Sequence, residues 1–424
     1  MNKRKLIIGA AALAATALAL TGCAGTSTTS STSTSGPVTL AMWTGFTGGD
    51  QPGYAQIVKD FNASHPNIKV VQTVESWDTI QQKLPTAWLT GSGPDIAAPS
   101  PDPNAIANYV KTNSLLPVVT GSGSDKVNSS QLAPAAVKEL TYKGKLYAIP
   151  ANFATLSLYY NKKMFAAAGI ANPPATVADF EADAKKLTLN GGTTQYGLSL
   201  ADNQTIQMWP ILQWLTGGDI VDSKGCSVLT SAASQAGLTI WANLVANDHI
   251  SPVGQTGAQA DSLFSAGKAA MELNGPWAAP GYKSAGIDLG IAPVPAAADG
   301  SHVTLGAIAP LAISAKTKYP AQAQEFLAYY TAKATQEKFS LTTGFPPLRT
   351  DMGDDAALKA DPTVQVFTSQ VPDARLYLPQ LPNATQVDAN AYVPMIGKIT
   401  RGTSVASATA EASTTINGLT GCTQ

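Results

Sequence analysis

Apolar positions along the chain alternate first with the period of a strand and then with that of a helix. Val38, Leu40 and Met42 are spaced two apart, as in a strand with one buried face. A loop over 45–53 follows. Tyr54, Ile57, Val58 and Phe61 then recur at i, i+3, i+4 and i+7, which predicts a helix stopping before His65-Pro66. Ile68, Val70, Gln72 and Val74 read as a second strand. Ile80, Leu84 and Trp88 mark one side of a second helix, which Pro85 interrupts. Gly91-Ser92-Gly93-Pro94-Asp95 is a turn and Ile96-Ala97-Ala98 a short strand. Such β-α-β-α-β alternation predicts a parallel sheet covered by helices.

The rest of the chain continues in this style. Lys145 to Pro150 and Leu156 to Tyr160 read as strands. Thr176-Val177-Ala178-Asp179 has the form of a capping box, with hydroxyl and carboxylate taking the free amides that start a helix to Leu187. Further helices are predicted over 232–247, 321–338 and 405–416. The 424 residues, 44% of them hydrophobic, exceed one ordinary α/β domain, so the fold class expected is α/β with two lobes.

Charge narrows the function. Twenty-eight acidic and 27 basic residues give a net charge of −1, and only 13% of residues are charged. A nucleic-acid partner would require a basic field, so none is expected. With 3 Cys and 3 His, clustered zinc and iron–sulfur sites are excluded, and neither metal nor cofactor is expected.

The N-terminus carries a targeting signal. Lys3, Arg4 and Lys5 precede an uncharged run from Leu6 to Leu20, shorter than a comfortable membrane span. The run ends in Leu20-Thr21-Gly22-Cys23-Ala24, which looks like a bacterial lipobox. Residues 1–22 are thus read as a lipoprotein signal peptide and Cys23 as the lipidated mature N-terminus. Residues 23–37, rich in Ser and Thr, read as a tether. The expected location is the outer face of the cell membrane, held by the lipid at Cys23.

The folded body resembles the extracellular solute-binding proteins of ABC importers, in the maltose-binding-like, carbohydrate-directed group. The matching segments run in order from Leu40-Ala41-Met42-Trp43 through Gly91-Ser92-Gly93-Pro94-Asp95-Ile96. They continue with Lys143-Gly144-Lys145-Leu146-Tyr147-Ala148-Ile149-Pro150 and Leu158-Tyr159-Tyr160-Asn161-Lys162. Phe264-Ser265-Ala266-Gly267-Lys268, Asn274-Gly275-Pro276-Trp277 and Thr343-Gly344-Phe345-Pro346-Pro347 follow. The resemblance covers nearly the whole body. Two positions depart from it: Val177 stands where the family often has Trp, and Asn152 is the nearest counterpart of a carboxylate common after the proline that matches Pro150. The resemblance implies a periplasmic-binding-protein-like fold, two lobes that are each a sheet flanked by helices, joined by a multi-strand hinge. Lobe one is expected to hold 38–151 plus 303–340, and lobe two 152–302 plus 341–424.

A sugar site needs flat aromatics for ring faces and fixed polar groups for the rims. Trp43 ends a strand before a glycine-bearing loop. Ligands in parallel sheets bind beyond such strand ends, so Trp43 or its neighbour Thr44 is a cleft candidate. Gly275-Pro276 breaks a strand ahead of Trp277, where the family presents a sugar-stacking indole. Trp209 falls where the family lines the cleft, whereas Trp88, Trp214 and Trp241 fit core positions and Trp77 fits either site or surface. Asp102 sits at the lobe-one rim, where the alternative is a cap on the following helix. Asn152 lies near a hinge crossing, and Gly306-Ala307 matches a small pair where backbone approaches ligand. Arg375, Asp388 and Asn390 lie in the late segment that the family returns to the cleft.

With Cys23 lipidated, Cys226 and Cys422 remain as an even pair in an exported chain; the resemblance puts both in lobe two, and a disulfide is expected. The function implied is capture of a sugar or oligosaccharide between the lobes of a monomer and delivery to ABC permease subunits in the membrane, without catalysis. A binding protein for another solute is the alternative. An exported glycosidase is a further one, although no Gly-x-Ser-x-Gly, His-Glu-x-x-His or P-loop is present. Gly281 and Gly286 have P-loop spacing, but Ile287 follows where lysine is required.

Overall fold

The computed structural model describes residues 37–204, 208–381 and 383–422. The signal peptide, Cys23 and nearly all of the tether lie outside the described residues.

The first sheet runs in the order Ile68–Val74 (β2), Val38–Thr44 (β1), Ile96–Ala97 (β3), Pro310–Ile313 (β13) and Ala148–Pro150 (β6). Strand β1 pairs in parallel with β2 and with β3. Antiparallel β13 and β6 complete it. The alternation in β1 buries Val38, Leu40 and Met42. The helix Gln51–Ser64 buries Tyr54, Ile57, Val58 and Phe61, the face its spacing predicts.

The helix Trp77–Thr90 runs through Pro85 without ending. Proline removes one amide donor there, but the fully buried face of Ile80, Leu84 and Trp88 and two good caps outweigh that loss. Ser76 Oγ accepts from the Thr79 amide at 3.2 Å, and Gly91 closes the helix in the left-handed conformation, φ 75°.

The second sheet has the order β11-β8-β10-β9, from Leu289–Ala292, Ser157–Asn161, Ala269–Asn274 and Tyr196–Ser199 respectively. Only β10 and β9 run parallel. Its flanking helix Val177–Leu187 opens with the reciprocal Thr176–Asp179 capping box. A third sheet, β14-β12-β7, joins the halves, from Ala374–Leu376, Thr304–Ala307 and Ala154–Thr155. Its strands stand where the chain passes from one hydrophobic core to the other, so the molecule is two-lobed with a stranded hinge. The first core draws on Val38 to Ala154 and Ile308 to Leu348, the second on Leu156 to Leu305 and Tyr377 to Ile416.

The helix predicted over 321–338 is two helices, Pro320–Tyr330 and Lys333–Thr343. The Thr331 hydroxyl donates to the Leu327 and Ala328 carbonyls, and Gln336 Nε2 donates to the Tyr330 carbonyl at 2.7 Å. These side chains satisfy the helix end between the two segments. The apolar spacing continues across the break and conceals it.

Cys226 and Cys422 are joined by a disulfide, Cα atoms 5.4 Å apart across a separation of 196 residues. Asn417 Oδ1 accepts from the Ser227 amide at 2.8 Å beside it. The final helix Val405–Thr420 is thereby fastened to the 222–227 turn. Among the described residues no helix is long and apolar enough to cross a membrane.

Candidate functional site

The lobes meet where the loop after β1 reaches the turn after β10. The loop is stiffened by aromatics. Phe46 stacks on Tyr54 at 3.8 Å between centroids, and Trp77 packs edge-on to Phe46 at 5.3 Å. A Cβ on Gly45 would collide with the Trp77 indole. Trp77 is thus a wall of this loop, half-buried against the first core.

From the second lobe comes Trp277. Its indole lies over Gly275, where a Cβ would collide with the six-membered ring. Half-buried, it borders the first core and both cores of the second lobe, and its ring centre lies 6.3 Å from that of Phe345. Gly48 and Gly49 of the loop ride on it. A Cβ at Gly49 would sit 2.6 Å from the Gly281 nitrogen and 3.1 Å from the Trp277 carbonyl oxygen, so only glycine permits this approach between backbones.

The loop ends at buried Asp50. Its carboxyl interacts with the Tyr54 hydroxyl, whose oxygen accepts from Asn152 Nδ2 at 2.6 Å. Asn152 Oδ1 in turn accepts from the Ala309 amide at 3.1 Å. Asn152 therefore ties the loop to the chain leaving the hinge. Burial, opposed in part by hydrogen bonds from its own backbone and Tyr54, raises the Asp50 carboxyl from 3.8 to about 7.

A second set of polar groups assembles at the junction. Asp102 Oδ1 accepts from the Asn104 amide at 2.9 Å, which satisfies part of the capping role ahead of the helix Ala105–Lys111. Asn104 Nδ2 reaches across to the Tyr377 carbonyl at 3.3 Å, and the Tyr377 hydroxyl donates to Asp388 Oδ1 at 2.6 Å. Desolvation, and then the nearby charges of Asp388 and Glu139, raise the Asp102 carboxyl to about 6. Asp102 is half-buried and retains some solvent contact. Burial likewise raises Asp388, against the lowering pull of the Tyr377 hydroxyl.

Two expected site residues are corrected. Trp209 has no exposed surface; its indole N–H donates to the Ala201 carbonyl at 2.8 Å and its ring packs on Trp241 at 5.3 Å. It is core. Thr44 is buried too, and its hydroxyl accepts from Gln72 Nε2 at 2.9 Å, because alternation in β1 turns it to the side of Met42. Trp43, one residue earlier, is half-buried on the opposite side.

The remaining candidates have partners of their own. Gly306 and Ala307 lie in β12 of the hinge; a Cβ at Gly306 would meet Leu376 Cδ2 at 3.2 Å, so the small residue lets hinge strands pack. Arg375 donates to Asp219 Oδ2 at 2.6 Å and lies 5.0 Å over the Trp214 ring. Asn390 is exposed on the turn Asp388–Tyr392. Phe46, Asp50, Tyr54, Asn104, Phe345 and Tyr377 complete the junction; Phe345 lies in the family-matching Thr343–Pro347 segment and Tyr54 on a predicted helix face, while no motif marks the other four. Among the described residues no three metal-binding side chains converge. The aromatic face at Trp277 and the carboxyls at the junction are suited to holding a polar solute with an apolar face.

Comparison with known proteins agrees. Residues 56–366 match the model of the bacterial extracellular solute-binding protein family. The maltotriose-binding protein of Pyrococcus abyssi is 24% identical over 362 residues, 81% of this chain and 73% of that protein. Among solved structures, the GacH receptor of Streptomyces glaucescens, determined unliganded and with acarbose, superposes with TM-score 0.78 at 23% identity over 92% of this chain and all of that one. UgpB of Mycobacterium tuberculosis, in complex with glycerophosphocholine, gives 0.79 at 21% identity over 91% and 98%. These relatives are binding proteins, not enzymes. The chain belongs to the bacterial extracellular solute-binding protein family.

Proposed function

We propose that the protein is the substrate-binding component of an ABC importer that takes a sugar or oligosaccharide between its lobes and hands it to a membrane permease. The observation that carries this reading is Trp277, which borders the cores of both lobes beneath the Gly48–Gly49 loop. An indole there offers a sugar ring its apolar face, and Asp102 and Asp388 offer acceptors to hydroxyl donors. We assign Trp43, Asp102, Asn152, Trp277 and Asp388 to the ligand site or its immediate support. Binding favours the closed form because only that form touches the solute from both sides. The lipobox makes Cys23 the anchor that keeps the body near its permease.

The likeness to UgpB favours a second reading, a glycerophosphodiester ligand. The junction is lined by carboxyls, while Arg375 is already engaged by Asp219 and Trp214. A phosphate would require free guanidinium groups there, so a neutral polyol is the better fit. A thermal-shift panel of maltooligosaccharides, monosaccharides and glycerophosphocholine decides between them, since a ligand of the native state raises its melting temperature. A rise with a sugar supports the proposal; a rise with glycerophosphocholine alone replaces it.

A further inference from the structure

The turn that carries Trp277 is clamped from beneath. The Gly275 amide donates to Asn274 Oδ1 at 2.8 Å, and the Gly275 carbonyl accepts from the Tyr159 hydroxyl at 2.7 Å. The indole lies over this same peptide. The clamp rests on two acids. Asn274 Nδ2 donates to Asp261 Oδ1 at 2.7 Å and to the Tyr282 oxygen at 2.9 Å, and the Tyr282 hydroxyl donates to Glu272 Oε2 at 2.5 Å. The two carboxyls converge on these same groups: Asn274 Nδ2 also lies 3.4 Å from Glu272 Oε1, and the Tyr282 oxygen 3.3 Å from Asp261 Oδ1. Two buried carboxyls with no cation between them do not both carry charge, so one keeps a proton.

Glu272 is buried in β10, and Asp261 reaches it from the helix Gly257–Ser265. The other titratable groups facing them are Tyr159 from β8 and Tyr282 from the helix Ala279–Ser284, while Asp50 of lobe one acts on Tyr159 from farther away. Among the described residues no lysine, arginine or histidine pairs with either acid. Burial raises both carboxyls, and for Glu272 the Asp261 charge adds to it.

We propose that the Asp261–Glu272 pair, holding one proton, positions the ligand face: through Asn274 and Tyr282 it sets the Gly275 peptide and with it the Trp277 indole. The proposal rests on the reading of Trp277 as that face. Loss of the shared proton leaves two negative charges in contact, which separates the carboxyls and releases Asn274. Capture then weakens as pH rises.

The test follows the Trp277 indole N–H by NMR in protein labelled with nitrogen-15 at tryptophan, the signal being identified by its disappearance in Trp277→Phe. The wild-type signal moves in one titration as pH is raised, and Glu272→Gln abolishes that movement. Asn274→Ala and the milder Tyr282→Phe displace the signal at neutral pH, and Asn274→Ala weakens binding of maltotriose, the probe ligand, ~10-fold. Variants that lower the melting temperature but leave the indole signal in place would overturn the positioning proposal. A maltotriose affinity indifferent to Trp277→Phe would overturn the reading of the site instead, while the NMR signal still reports on the pair.

Discussion

Gly49 of the first lobe lies backbone to backbone against Gly281 of the second: a Cβ added to Gly49 would stand 2.6 Å from the Gly281 nitrogen. Closure of the lobes therefore has a steric requirement. Gly49→Ala forces the loop away from Trp277 in the closed form and leaves the open form untouched. Overpacking of this kind costs about 1–3 kcal/mol, which predicts roughly 5- to 150-fold weaker solute binding. Unligated stability changes little. Titration calorimetry beside a denaturant melt checks both halves of this expectation.

Asp102 gives a pH signature. Its carboxyl is raised from 3.8 to about 6, mainly by desolvation. A group that holds its proton more tightly when folded stabilises the fold most at low pH, and that contribution is lost as pH rises from about 4 through about 6. Asp102→Asn removes the dependence. At neutral pH the variant is more stable by about 1–2 kcal/mol, a value discounted for the solvent contact that the carboxyl keeps. It also binds solute more weakly, if Asp102 accepts from a ligand hydroxyl. Melts at several pH values, with and without ligand, separate the two effects.

Much of the fold was legible from local chemistry, and the failures have local causes too. The Thr176–Asp179 box is read directly because both partners of a cap lie within one turn. Trp277 is marked by Gly275-Pro276, which ends β10 at a fixed place. Trp209 also sits ahead of a helix, but its indole is absorbed by a carbonyl eight residues back, a contact that periodicity does not express. The two-helix break at Thr331 depends on hydroxyl bonds that leave apolar spacing intact. Asp50 lies in a stretch that reads only as loop and turns out to be a buried acid beside Tyr54. Asn104 meets Tyr377 across 273 residues, a pairing that arises only when the chain crosses the hinge for the last time.

The Cys226–Cys422 disulfide closes a loop of nearly half the chain. Its removal by Cys226→Ala with Cys422→Ala is expected to cost about 2–5 kcal/mol of stability. Both cysteines serve to fasten the final helix to the 222–227 turn, so solute affinity is expected to be retained. Denaturation and calorimetry of the double variant check this.

Cys23→Ala tests the anchor. The lipobox predicts that the wild-type protein stays with the membrane fraction and that its mature N-terminus is a lipidated cysteine. The variant is expected to remain unprocessed or to be released. Mass spectrometry of the N-terminus and cell fractionation decide the point, and membrane retention with an unchanged N-terminus would refute it.

The central claim is that a solute is held between the lobes on the face of Trp277. The direct measurement is calorimetric affinity of Trp277→Ala for the best ligand of the wild-type protein, alongside denaturation of the unligated variant. Loss of a central aromatic at a binding site costs about 2–4 kcal/mol, which predicts roughly 30- to 1,000-fold weaker binding with little change in unligated stability. Unchanged affinity, or an unligated protein weakened by the ~3–5 kcal/mol typical of a lost core aromatic, would contradict the account.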